Sequence, residues 1–236
     1  MNPYQKLQNR KRTWTPVQTT AGKLNEGSEE TIYRALAMRH MELPVGGFIQ
    51  DALSEIPALS ADLLKSNVKD EENHDLALGY IANALGVDET AEAEAKRLRD
   101  AWQAHPDHTV LKALVAERAI FFVLLPFFRF NGDAGLRTVS ADISRDEQVH
   151  VAANSLVCKE LGLEISPSLD KLRKATINWV MTPLKSSTNK YLDKKFWLDA
   201  SDRLMYEGKA PELSDTKRAR MPAFFEHANP NLPQYA

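Results

Sequence analysis

The feature that most constrains this chain is an apolar stripe that recurs at three- and four-residue intervals and is interrupted, at the same intervals, by acids and imidazoles. One stripe reads Leu64, Asn67, Glu71, His74, Leu78, Ile81 and Leu85; a second reads Val110, Ala113, Leu114, Glu117, Phe121, Leu124 and Phe128; a third reads Ile143, Glu147, His150, Asn154, Val157 and Leu161. Three-four spacing marks one face of an α-helix, and alternation at strand spacing is rare in this sequence. The expectation is an all-α protein. Ser28 caps a helix to about Leu43, where Pro44 and Gly46-Gly47 loosen or stop it, and Ser60 caps a long helix ended by Gly86. Further helices are expected over about 90–104, 108–130, 136–161, 168–182 and 188–207. They form one helical domain over residues 1–207, followed by an extended C-terminal tail, 208–236, rich in proline and without periodicity.

Residues three apart on a helix project from one face, so Glu71/His74 and Glu147/His150 are two Glu-x-x-His pairs aimed at a core, and Glu117 is a lone acid aimed the same way. An unpaired buried carboxylate costs several kcal/mol or shifts its pKa until it is neutral. Several in one core require positive charge among them, and two divalent metal ions supply it. A four-helix di-metal carboxylate site takes Glu-x-x-His from two helices and a single Glu from each of the other two. Glu42 is the candidate for the fourth helix; Asp51 and Glu55 are rivals but lie beyond the glycine pair. Glu42 precedes Glu71 by 29 positions and Glu117 precedes Glu147 by 30, as two similar hairpins would require. The expected metal ligands are Glu42, Glu71, His74, Glu117, Glu147 and His150. Hard oxygen donors with two imidazoles suit manganese and iron alike.

Charge excludes other classes. Lys plus Arg number 30 and Asp plus Glu 32, a formal net charge of −2, which gives no footprint for nucleic acid or an anionic membrane. Arg10-Lys11-Arg12 reads as a solvated N-terminal arm. Cys158 is the single cysteine and reads as core filler, in keeping with a reducing compartment. The N-terminus has no apolar segment of the secretory type, and the run Ala119–Phe128 is too short to span a bilayer, so a cytoplasmic protein is expected. His40 reads as a packed or surface histidine, His105 and His108 as solvated residues at a turn, and Trp102, Trp179 and Trp197 as packing or dimer-interface residues.

At this point the sequence resembles a known family, the small (beta) subunit of class I ribonucleotide reductase, whose fold is a ferritin-like four-helix bundle core with additional helices. Ser144-Arg145-Asp146-Glu147-Gln148-Val149-His150 is similar to the family's Arg-Asp-Glu-x-x-His signature, and Ala116-Glu117-Arg118-Ala119-Ile120-Phe121-Phe122 to its third-ligand helix. Met41-Glu42-Leu43-Pro44-Val45-Gly46-Gly47, followed by Ile56-Pro57, resembles the first-ligand helix and its turn; Trp14-Thr15-Pro16 resembles a Trp-x-Pro stretch whose tryptophan relays a radical. Phe121, Leu125 and Ile143 fall at positions of the apolar pocket beside the metals. The resemblance covers roughly residues 14–160, and the last third matches poorly.

The resemblance implies a metal centre that reacts with an oxygen species to form a strong oxidant and passes it, as an electron hole, to a cysteine of a separate large (alpha) subunit, which reduces ribonucleotides. It implies a homodimer that docks through the C-terminal tail. Asp146 would bridge a ligand histidine, His74, and Trp14; Trp14 reads equally as a staple of the arm onto the bundle. Tyr235 in the tail would continue the relay. Many members store the radical on a tyrosine four residues after the first histidine; here that position is Leu78. Tyr80 lies about 200° further round the helix. Leu78, and Glu42 where many members have Asp, favour a Mn/Fe or Mn/Mn centre, with Fe/Fe also compatible. The alternative is a stand-alone di-metal oxidase or oxygenase on the same scaffold.

Overall fold

The computed structural model describes residues 2–213, and among these there is no β-strand. Its elements are α1 (Pro3–Gln8), α2 (Glu29–Ala37), α3 (Glu42–Ala52), α4 (Ala61–Leu85), α5 (Glu89–Ala104), α6 (Thr109–Ala116), α7 (Phe122–Asn131), α8 (Ala134–Glu160), α9 (Pro167–Met181) and α10 (Lys194–Glu207). No helix among the described residues is long and apolar enough to cross a membrane.

The core bundle is made by α3, α4, the α6–α7 rod and α8. α3 lies against α4 and α6, and α8 lies against α4, α6 and α7. Helix ends follow local chemistry. Asp133 begins α8 by accepting from the Leu136 amide, and Asp193 begins α10 by accepting from Phe196. Gly86, Gly162 and Gly208 adopt positive φ where α4, α8 and α10 end.

Three helices differ from the sequence expectation. The first does not run from Ser28 to Leu43: α2 tightens into a 3-10 turn at Met38–Met41, and α3 starts afresh at Glu42. Pro44 and Gly46-Gly47 do not end a helix. Pro44 lies in the first turn of α3, where a missing N–H leaves no bond unmade. In the rod, α6 and α7 are joined by a π-helical turn over Glu117–Phe121. The final helix begins at Lys194 rather than near 188, because Asp193 caps it after a short 3-10 turn at Lys190–Leu192.

The C-terminal helices brace this π turn. Arg173 on α9 is fully buried, donates to Ser201 Oγ at 2.7 Å and reaches Asp202 at 2.7 Å and Asp170 at 2.8 Å. Ser201 Oγ in turn donates to the Ala119 carbonyl within the turn at 2.6 Å. Trp102 and Trp197 are fully buried, with indole N–H groups on Thr176 Oγ1 and the Tyr191 carbonyl, so both are packing residues of this chain.

The N-terminal arm is fixed on the bundle at several points. Tyr4 and Leu7 of α1 are buried, and the Tyr4 hydroxyl donates to Glu160. The Gly22 amide donates to Asp133, so closely that an added Cβ would lie 2.9 Å from the Asp133 Cβ.

Candidate metal centre

Glu42, Glu71, His74, Glu117, Glu147 and His150 converge in the middle of the bundle, each no more than 1 % exposed. The helical stripe explains the convergence: a three-residue step keeps each Glu-x-x-His pair on one side of α4 or α8. Their ligand atoms form two groups, Glu42/Glu71/His74/Glu147 and Glu71/Glu117/His150, each with its atoms within 4.8 Å of one another. Glu71 is common to both, with Oε2 3.3 Å from His74 Nδ1 and Oε1 3.0 Å from His150 Nδ1. Glu147 also spans the centre, with Oε1 3.5 Å from His74 Nδ1 and Oε2 3.8 Å from His150 Nδ1. The two imidazoles stack with centroids 5.7 Å apart.

These atoms fit a metal. Both oxygens of Glu42, Glu71 and Glu147, one oxygen of Glu117 and Nδ1 of both histidines are buried without a hydrogen-bond partner. Buried polar atoms are normally paired, and these carboxylate oxygens and imidazole nitrogens are donors of the kind that ligate hard or borderline cations. Without a cation the four acids cannot all be charged. Burial raises Glu42 to about 8 and pushes Glu117 and Glu147 well above the carboxylate range, with Glu71 adding to each. Burial pushes Glu71 upward too, but the flanking imidazoles, His150 foremost, outweigh it and hold it low. Burial alone would lower His150, yet Asp70 and Glu71 bring it up to about 9. The residues can thus hold a metal ion.

Each histidine has its outer nitrogen on an aspartate. His74 Nε2 lies 3.2 Å from Asp146 Oδ2, which also accepts from the Trp14 indole N–H at 2.7 Å. The Trp14 ring stacks on His74 with centroids 6.2 Å apart. Trp14, Asp146 and His74 are therefore brought together. Tyr235 lies outside the described residues.

The sequence reading missed three partners. His150 Nε2 lies 2.9 Å from Asp70 Oδ2, and Asp70 forms an ion pair with Lys11 at 2.5 Å. Asn154 Nδ2 donates to Glu117 Oε2 at 2.8 Å. A signal existed for the first: Asp70 directly precedes Glu71 as Asp146 precedes Glu147, so both pairs read Asp-Glu-x-x-His. The bracing is crossed, each aspartate serving the histidine of the other pair. Lys11 corrects the reading of Arg10-Lys11-Arg12 as a wholly solvated run: Arg10 and Arg12 are exposed, but the Lys11 side chain is only 11 % exposed.

Other residues have structural places. His40 and Arg39 both pair with Glu92, and the His108 ring caps α6 through the Val110 amide. Cys158 is buried beside the bundle core, where burial raises its thiol to about 12, so it stays protonated and inert at neutral pH. Leu78, Phe121, Leu125 and Ile143 are all buried apolar residues. Compared with family models, curated proteins and solved structures, the chain matches none.

Proposed function

We propose that the chain is the radical-generating small subunit of a class I ribonucleotide reductase, built around two metal ions held by Glu42, Glu71, His74, Glu117, Glu147 and His150. The observation that carries this reading is the continuous line from the ligand cluster through His74 and Asp146 to Trp14. A ligand cluster alone would serve many oxidases; an indole tied to a ligand histidine through one carboxylate suits the export of an electron hole.

Two divalent ions would balance the four carboxylates and, once oxidised by an oxygen species, would supply a strong one-electron oxidant. The chain's residues do the rest. Glu71 and Glu147, each with one oxygen toward either histidine, would serve both ions, with Glu42 held on the His74 side and Glu117 on the His150 side. Asp146 holds the His74 ring with Nδ1 inward, as carboxylates behind ligand imidazoles do. The Trp14 indole Nε1, 2.7 Å from Asp146 Oδ2, has an acceptor in place for its proton if the ring is oxidised. Leu78 offers no phenol four residues after His74, so the oxidising equivalent is not stored there; this favours Mn/Fe or Mn/Mn over Fe/Fe. The recipient is a cysteine of a separate large subunit, which reduces ribonucleotides. Homodimerisation and docking through the tail that carries Tyr235 complete the proposal.

The test is reconstitution with a matching large subunit. Trp14→Phe is expected to keep the wild-type metal content and to lose ribonucleotide reduction. Deleting the last dozen residues should abolish reduction in the same way. Normal turnover by Trp14→Phe would remove the relay and leave a metal protein of another kind.

A further inference from the structure

The segment Lys11–Trp14 reaches both histidines of the centre at once. Trp14 donates to the aspartate behind His74, and Lys11 pairs with the aspartate behind His150. The Lys11 ammonium has three N–H donors, and three acceptors surround it: Asp70 Oδ2 at 2.5 Å, Ser66 Oγ at 2.8 Å and Asn67 Oδ1 at 3.0 Å. All three come from one turn of α4, just before Glu71. A lysine on a surface arm usually leaves its ammonium in water; this one is turned inward and saturated. Asn67 occupies the core stripe of α4 and is 1 % exposed, which explains a polar residue on that stripe.

Asp70 Oδ2 faces Lys11 and His150 together, at 2.5 and 2.9 Å. An aspartate has two rotatable side-chain torsions, and holding one oxygen at His150 Nε2 requires something to hold the carboxylate. Lys11 does so from outside the bundle. With Nε2 held on Asp70, His150 Nδ1 is the nitrogen turned to Glu71, Glu117 and Glu147, at 3.0, 3.8 and 3.8 Å, and is the one that would ligate once its proton is displaced.

We propose that Lys11 is a positioning residue for the metal position at His150: by fixing Asp70 it fixes the tautomer and orientation of that imidazole. With Trp14 it makes residues 11–14 a strap that spans both halves of the centre. The proposal rests on the reading that the site holds two metal ions. Carboxylates behind ligand histidines are worth about 10- to 100-fold in metal affinity, so releasing Asp70 should weaken one position and spare the other.

The experiment compares full-length wild type with Lys11→Met, which keeps the side-chain length without the charge, and Lys11→Arg, which can still reach Asp70. Titration of the metal-free protein with Zn(II), in competition with a chromophoric chelator, reads each position. Lys11→Met is expected to bind one ion as wild type does and the second about 10- to 100-fold more weakly, with Lys11→Arg largely restored. In the Zn(II)-loaded protein, nitrogen-15 NMR should show the His150 Nε2–H signal shifted and exchanging faster in Lys11→Met, with His74 unmoved. Should Lys11→Met not fold, Lys11→Gln reads the same two quantities. Unchanged binding of both ions together with an unmoved His150 signal overturns the proposal. A wild type that binds no zinc instead overturns the two-metal reading, a distinct result; the His150 ring is then compared between metal-free wild type and Lys11→Met, and an unmoved ring overturns the positioning role as well.

Discussion

The two hairpins of the bundle bring the same kinds of candidate ligand together from helices that depart from the α pitch in opposite directions, one tighter and one wider. In the first, the chain tightens into a 3-10 turn at Met38–Met41 immediately before Glu42. In the second, it widens into a π turn that begins at Glu117. The paired ligands, Glu71/His74 and Glu147/His150, sit instead in the unbroken helices α4 and α8. The difference teaches where precision is needed. Two residues three apart on a regular helix aim themselves, whereas a single carboxylate that must reach a shared centre is aimed by a change of pitch, and such irregular turns often mark functional sites. The π turn has outside support from the Arg173–Ser201 brace; for the 3-10 turn the nearby contacts are Arg39 and His40 on Glu92 of α5.

Removing metal should affect both halves together and most strongly. An ion present at a thousandfold excess over its Kd stabilises the folded chain by about 4 kcal/mol, roughly 8–16 °C in Tm for a chain of this size. Calorimetry before and after chelation measures it, and no change would mean that neither half binds. The effect should depend on pH with a definite sign. In the metal-free protein Glu42 is raised to about 8 and His150 to about 9. Their stabilising contributions are complete below the unfolded values, about 4.3 and 6.5, and are lost as pH rises through about 8 and 9. The folded state holds more protons across that window, so metal-free stability falls as pH rises. Metal must displace those protons and binds better at higher pH. The Tm gap between loaded and metal-free protein should therefore widen from about pH 6 to about pH 8.5; a gap that does not widen would show that these groups do not titrate as described.

Ser201→Ala sharpens the comparison by acting on the second hairpin alone. It strips the Ala119 carbonyl of its hydroxyl donor and one Arg173 N–H of its acceptor, which costs about 1–3 kcal/mol in a buried place. Urea denaturation measures the loss, and a crystal structure should show Glu117 displaced with Glu42 unmoved. A shift of Glu42 instead would break the assignment of the brace to one half. The smallest effect belongs to the first hairpin. Gly47 is exposed inside α3 with nothing within 4 Å of an added Cβ. Gly47→Ala should raise stability by about 0.5–1 kcal/mol; a destabilised variant would mean that α3 needs a glycine there.

What the sequence made legible follows the same division. The stripes through Glu71/His74 and Glu147/His150 announce both helix and site, because a three-four period carries the fold and the ligand direction at once. Glu117 and Glu42 were legible as residues but not as geometry. Neither the 3-10 turn nor the π turn has a residue code of its own, though Pro126, inside α7 just beyond the π turn, is a mark of irregular winding. Lys11 was illegible for another reason. Its partners, Asp70, Ser66 and Asn67, lie more than fifty positions away, and nothing local separates a basic residue that turns inward from its exposed neighbours Arg10 and Arg12. Arg173 was missed likewise, since its place is set by α10 folding back on the π turn.

The most direct test of the central claim is anomalous diffraction at the manganese and iron edges from crystals of the reconstituted protein. Two peaks are expected between Glu71 and Glu147, one beside Nδ1 of His74 with Glu42 and one beside Nδ1 of His150 with Glu117. Featureless maps at both edges, with the same six side chains gathered around hydrogen-bonded water, would contradict it.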